Sequence, residues 1–234
     1  MTPPRPAQTT GGTDGGTGIA GDDAIASGTP ARQRVLRDQG RKTQRRLLDA
    51  GLRVFADRGY HAARIDDVVR MARTSHGTFY LYFSNKEDLL RALAVDCAEA
   101  LLALAKRVGP IAPDAGGSDE LRRVLGEYLD IYARYGPVIQ AWMDREIDDR
   151  EIDRLGTRAY TSVAEAFAVR MRGPARAAGF DLASGTAALM AMLERFAHSA
   201  HSYRLALEPD HAIDTLTLLV HRGFFGAGRP VPTA

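Results

Sequence analysis

Between Lys42 and Arg58 the small and apolar residues Leu48, Gly51, Leu52, Phe55 and Ala56 recur at intervals of three, one, three and one. That rhythm lines one face of an α-helix, and Gly59 stands where a helix commonly stops. A short second helix is predicted from about Ile65 to Ala72, with Ile65, Val68 and Val69 inward. Asp66 and Asp67 fall in its first turn, at the positive end of the helix dipole. Ser75 is placed to cap a third short helix through Tyr82, with Phe79 and Phe83, four apart, buried on one side. A fourth helix opens at 84–85, with Ser84 and Glu87 as a capping box or Asn85 as the cap. It runs through Leu89, Leu93, Ala100 and Leu104 to about Val108.

Beyond a Gly- and Pro-rich loop at 109–118 the pattern stays helical, with breaks expected at Gly136–Pro137, Gly173–Pro174, Gly179 and Glu208–Pro209. No stretch combines alternating polarity with β-branched enrichment, so no strand is predicted. The expectation is an all-α protein of about nine helices. In the eighth, about 182–207, Leu182, Thr186, Leu189, Leu193, Phe196, Ala200, Tyr203 and Leu207 alternate by four and three. The ninth repeats the rhythm at Ile213, Leu216, Val220 and Gly223.

Length and composition narrow the class. A chain of 234 residues, 45% hydrophobic and 26% charged, suits one large or two small globular domains. The single cysteine, Cys97, rules out an internal disulfide and a multi-cysteine zinc module, and its apolar neighbours predict a buried, inert thiol. No apolar run approaches the roughly 18 residues that span a bilayer, and no export signal is legible. A cytoplasmic protein without a membrane partner is expected. The net charge of +2 divides unevenly: residues 31–86 carry thirteen Lys or Arg against five Asp, a net of +8. Such asymmetry suits a polyanion-binding module on an acidic body. Residues 1–30, rich in Gly and Pro, lack the apolar content to order themselves. The expected organisation is a tail to residue 34, a helix-turn-helix domain at 35–86, a helical body at 87–228, and a short tail at 229–234.

Three short helices behind a basic arm make a helix-turn-helix. The stretch from Thr74 to Leu90, TSHGTFYLYFSNKEDLL, closely resembles the signature of TetR-family transcriptional regulators, and the resemblance covers roughly residues 41–90. It implies an all-α regulator whose third helix enters the major groove of double-stranded DNA. Matching positions assign DNA contacts to Ser75, His76, Thr78, Tyr80, Tyr82 and Lys86. Arg41 and Lys42 of the basic arm join them as phosphate contacts. Gly77 keeps the groove-facing surface low. Two departures from the pattern stand out: Val69 replaces a small alanine, and Arg73 occupies the glycine position of the turn. An arginine held at positive φ costs on the order of 1 kcal/mol. Either the turn changes shape, or Arg73 offsets that cost at a phosphate. Helix two lacks a Ser or Thr cap, having Ala63 and Arg64, so Arg64 is a further candidate phosphate contact.

For the body the resemblance implies a homodimer and a small-molecule effector. The seams of the last two helices point to Leu189, Leu193, Ala200, Tyr203, Ile213, Leu216 and Val220 as the dimer interface. Tyr128, Tyr132, Trp142, Met143, Phe167, Met171, Met192 and Phe196 are candidate linings of an apolar pocket. Residues 187–225 faintly resemble the ethionamide-activation regulator subgroup, which favours a lipophilic or elongated effector. His198 and His201, one turn apart, lack a third ligand, and no metal or cofactor is expected. The acidic run from Asp144 to Asp153 reads as a solvated helix junction. No nucleophile, phosphate loop or metal set supports an enzyme. The expected function is a dimeric repressor of a palindromic operator, released by a hydrophobic small molecule. The alternative is a DNA-binding activator or architectural protein without an effector.

Overall fold

The computed structural model describes the backbone of residues 31–143, 149–201 and 208–226, and the fold from Gly40 onward forms one unit. Eight α-helices appear among the described residues: α1 (Ala31–Ala62), α2 (Ile65–Met71), α3 (His76–Tyr80), α4 (Lys86–Arg107), α5 (Ala115–Met143), α6 (Arg150–Ala178), α7 (Leu182–His201) and α8 (Pro209–Val220). A π-turn at His221–Phe225 follows. Among these residues there is no strand. The tails at 1–30 and 227–234, part of the acidic run at 144–148, and Tyr203 and Leu207 lie outside the described residues.

Helices α1 to α3 close over one core. Leu47, Leu52, Phe55, Val68, Val69, Phe79 and Phe83 are buried together with Leu89, Leu90 and Leu93 of α4. Phe79 is fully buried, worth roughly 2–3 kcal/mol of apolar transfer. At Gly51 an added Cβ would come within 2.8 Å of the Leu89 side chain. A side chain there would force the buried Leu89 to shift. Gly59 leaves helical geometry at φ 73° and ψ 160°, so the expected stop appears as a kink. The arm at 31–46, expected to precede the helix, is itself helical.

In the body α5 and α6 pack on α4 while α7 and α8 pack in turn on α5 and α6, with Leu104, Leu121, Val124, Leu125, Phe167, Leu189, Leu193, Leu216 and Phe225 at the centre. Two expected breaks do not occur. Helix α5 runs through Pro137 and α6 through Pro174. Each proline follows a glycine, which has no Cβ to clash with the proline ring, and burial of Val138 and Ala141, and of Ala175, holds the helix on course. The other two expectations hold. Gly179 caps α6 in the left-handed region at φ 77°, and Pro209 opens α8 behind Glu208, whose carboxylate accepts from the Asp210 N–H.

Helix α4 belongs to both halves. Its first two turns complete the α1–α3 core and Leu104 anchors the body.

Candidate nucleic-acid interface and effector cavity

The turn between α2 and α3 answers the question posed by Arg73. Its φ is +50°, and no other non-glycine residue among those described takes a positive φ. The Thr74 N–H donates to the Val69 carbonyl at 2.9 Å and the Arg73 N–H to the Arg70 carbonyl at 3.2 Å. This is a complete Schellman motif with arginine in the glycine seat. The turn keeps its shape and the backbone carries the strain.

Ser75 caps α3 as expected: its Oγ accepts from the Thr78 N–H at 3.1 Å and lies 3.0 Å from Thr78 Oγ1. The imidazole Nε2 of His76 lies 2.6 Å from Asp66 Oδ1, which ties α3 to the first turn of α2. Tyr80 is 56% exposed and Leu81 81% exposed, beside the buried Phe79 and Phe83. Tyr82 is half-buried. A Cβ on Gly77 would touch nothing closer than Ser75 Oγ at 3.8 Å, so nothing within the protomer demands a glycine there. Arg41, Lys42, Arg64 and Arg73 are exposed on the same module, and α2 starts at Arg64 without a side-chain cap.

Lys86 is placed differently from its expected role as a phosphate contact. Its Nζ donates to the carbonyls of Tyr60 at 2.8 Å and of His61 and Ala63 at 3.3 Å, and lies 4.4 Å from the centre of the Tyr60 ring. An ammonium has three protons, and the end of α1 takes all three. Asn85, rather than Ser84, caps α4: its Oδ1 accepts from the Asp88 N–H at 2.7 Å, while the Ser84 N–H donates to the Asp88 carboxylate.

Deeper in the body, α4, α5, α6 and α7 enclose a cavity of about 60 Å³. Of the candidate pocket residues it takes Tyr128, Tyr132, Trp142 and Met143, and it adds Cys97, Leu101, Tyr160, Met190 and Glu194. The other four candidates are elsewhere. Phe167 and Met171 are fully buried core, because they face the centre of the body. Met192 and Phe196 pack against the outside of that core, Phe196 in a separate groove with Ala200 and Ile213. Periodicity marks an inward face but does not say whether packing there is complete. Gly156 makes room for the Trp142 ring at the cavity wall: a Cβ there would lie 2.7 Å from the indole. The indole N–H in turn donates to Asp153 at 3.3 Å. Burial pushes the Cys97 thiol up to about 12, with Asp96 adding to the effect, so it stays protonated and unreactive.

Asp149 caps α6 by accepting from the Glu151 and Ile152 N–H groups, and Arg91 of α4 donates to its Oδ2 from both Nε and Nη2, at 2.9 and 2.6 Å. The Arg91 hydrogen bond foremost, then the α6 amides, holds the Asp149 carboxyl below the usual carboxylate range. His198 faces Gln140 Nε2 at 2.7 Å and the Tyr132 hydroxyl at 3.5 Å. No group of three metal-ligating side chains occurs among the described residues, and none of their helices is long and apolar enough to cross a membrane.

Four residues of the expected dimer seam pack within the protomer. Leu189, Leu193, Leu216 and Val220 are at most 1% exposed, because the four-and-three rhythm of α7 and α8 packs onto α5 and α6. Ala200 and Ile213 are half-buried. Exposed instead are Ala187, Ala188 and Ala191 on α7 and, on α8, Leu218 and Leu219, 47% and 59% exposed.

The arrangement is that of a helical regulator: a helix-turn-helix head with an open third helix, joined through one long helix to a hollow body. The profile of bacterial regulatory proteins of the tetR family matches residues 47–93. The HTH-type transcriptional regulator BetI of Cronobacter sakazakii is 30% identical over 150 residues, 60% of this chain and 74% of that protein. The chain belongs to the tetR family of bacterial regulatory proteins. The fatty acid metabolism regulator protein of Bacillus subtilis (strain 168) is 40% identical over 55 residues, 24% of this chain and 28% of that protein. Matches to that protein and to two further Bacillus subtilis regulators span only 25–31% of their lengths. The crystal structure of the regulator FadR from Bacillus subtilis in complex with stearoyl-CoA shares the fold, with a TM-score of 0.55 at 16% identity over 76% of this chain and 97% of that one.

Proposed function

We propose that the protein is a dimeric, ligand-released repressor that grips a palindromic operator through α3 of each protomer. The observation that carries this reading is the open face of α3. Ser75, His76, Gly77 and Tyr80 are exposed, on a helix too short to stand alone and anchored from behind by Phe79. In the major groove, Tyr80 and the α3 N-terminus meet base edges and phosphates, while Arg41, Lys42, Arg64 and Arg73 neutralise the backbone. Lys86 serves as a strut that fixes the end of α1 rather than as a phosphate contact.

Two copies pair through the outward α7–α8 face, where Ala187, Ala188 and Ala191 allow close approach and Leu218 and Leu219 supply apolar area. The effector enters the α4–α7 cavity. Ala94, Cys97, Ala98 and Leu101 of α4 line it, while Leu89, Leu90 and Leu93 of the same helix hold the head. A ligand that favours a displaced α4 alters the spacing of the two heads, and lowers operator affinity by its differential affinity for the two states. The relative named for fatty acid metabolism and the acyl-CoA complex of the structural neighbour support a small-molecule effector.

Selection from a random duplex pool tests the reading. Enrichment of a palindrome with half-sites about 34–36 Å apart or a multiple of it, with binding lost in Tyr80→Ala, is the expected result. Unpatterned binding with only a steep salt dependence would refute it.

A further inference from the structure

We infer that the effector cavity selects a lipophilic cation, a positively charged centre carried on an apolar body. The inference rests on the reading of this cavity as the effector site. Four aromatic rings line it, Tyr128, Tyr132 and Trp142 from α5 and Tyr160 from α6, and Glu194 reaches it from α7. No Lys, Arg or His stands among the described residues of its wall. Glu194 is half-buried and has no hydrogen-bond or ion-pair partner among the described residues. Its charge is felt across the cavity: burial foremost raises the phenol of Tyr160, and Glu194 raises it further. Glu194 also contributes, after burial and Tyr132, to the same shift in Tyr128.

These features sort ligands by charge. An anion entering here meets a carboxylate and no basic group to offset its lost hydration. A neutral apolar ligand fills the space but takes water from the Glu194 carboxylate without replacing it. A cation supplies the missing partner and lies against the negative faces of the rings. At about 60 Å³ the cavity admits a compact head, well below the roughly 300–1,000 Å³ of a drug-sized site. Met143, 50% exposed at the rim, is unbranched and can swing aside for a longer body.

The test uses the full chain and its one tryptophan, Trp142, which lines the cavity and reports binding by fluorescence. Three probes are titrated: phenyltrimethylammonium, its neutral isostere tert-butylbenzene, and the anion decanoate. The expected result is saturable quenching by phenyltrimethylammonium, at least about tenfold tighter than by the isostere, with decanoate weakest. Glu194→Gln should abolish that preference while leaving tert-butylbenzene affinity and the melting temperature in place. Equal or tighter binding of tert-butylbenzene or decanoate overturns the cation preference but leaves an effector cavity standing. Failure of all three probes overturns both. Selective cation binding with unchanged operator affinity upholds the selectivity and removes the effector role.

Discussion

The Lys86 ammonium lies 4.4 Å from the centre of the Tyr60 ring while donating to three carbonyls at the end of α1. The start of α4 is thereby pinned to the end of α1. Replacing Lys86 with Met should cost on the order of 1–3 kcal/mol of stability, since the partly buried Tyr60 and Ala63 carbonyls lose a charged donor. The slope of operator affinity against salt should stay as in the parent. A slope reduced by about one would show that Lys86 meets a phosphate after all.

Arg73 at φ +50° predicts a gain on mutation. Arg73→Gly should raise stability by about 1 kcal/mol, because glycine carries no penalty in the left-handed region. If Arg73 also contacts a phosphate, the same variant should bind operator more weakly and with a shallower salt slope. Denaturant titration and salt-dependent binding read the two effects separately.

An added Cβ at Gly77 would meet only Ser75 Oγ, at 3.8 Å, so Gly77→Ala should leave stability unchanged or raise it by up to about 1 kcal/mol, through helix propensity. Operator affinity should fall, because the added methyl stands between α3 and the groove. A stability gain without loss of binding would place the groove on another face.

The outward α7–α8 surface should behave differently from the buried seam. Leu218→Lys with Leu219→Lys should yield a folded monomer by sedimentation, with half-site binding only. Leu193→Ala, at a site 0% exposed, should cost about 2–5 kcal/mol and leave the surviving folded fraction dimeric. A dimer that survives the double lysine variant would put the interface elsewhere.

Acidification should loosen the ion pairs along α5 and those that join α4 to α5 and α6. Asp149, Glu120 and Glu127 are held below the usual carboxylate range by Arg91, Arg123 and Arg107 respectively. The folded state therefore binds fewer protons than the unfolded state, and the stability these groups lend is fully present above their unfolded pKa. It is lost as pH falls below about 4 through the folded values. The melting temperature should be flat from about pH 7 to 5 and fall below that. Asp149→Asn should blunt the fall; an unaltered profile would show that the ion pair carries none of it.

The short helices of the head were legible because their signals are local: Ser75 as a cap, Phe79 and Phe83 four apart, glycine at 59. The strained turn was legible only as a choice, since neighbouring residues do not reveal whether a backbone bends to suit Arg73 or holds. The body was harder for a different reason. Gly-Pro pairs read as breaks, yet tertiary burial carried α5 and α6 through them. An apolar seam on α7 looks the same whether it meets α5 or a second copy. The cavity's aromatic side could be read from the α5 pattern, whereas Glu194 gave no signal, being one acidic residue among many on a helix surface.

Leu89 and Leu101, three turns apart on one rod, leave no clean splice point between head and body. A hybrid that borrows another regulator's head should be cut between Phe83 and Asn85, so that α4 travels whole with its own body. Even then the grafted module must present a gap for Leu89 like the one Gly51 provides. Exchange of parts among such proteins is constrained less by the surfaces that touch DNA or ligand than by one hidden notch between two helices.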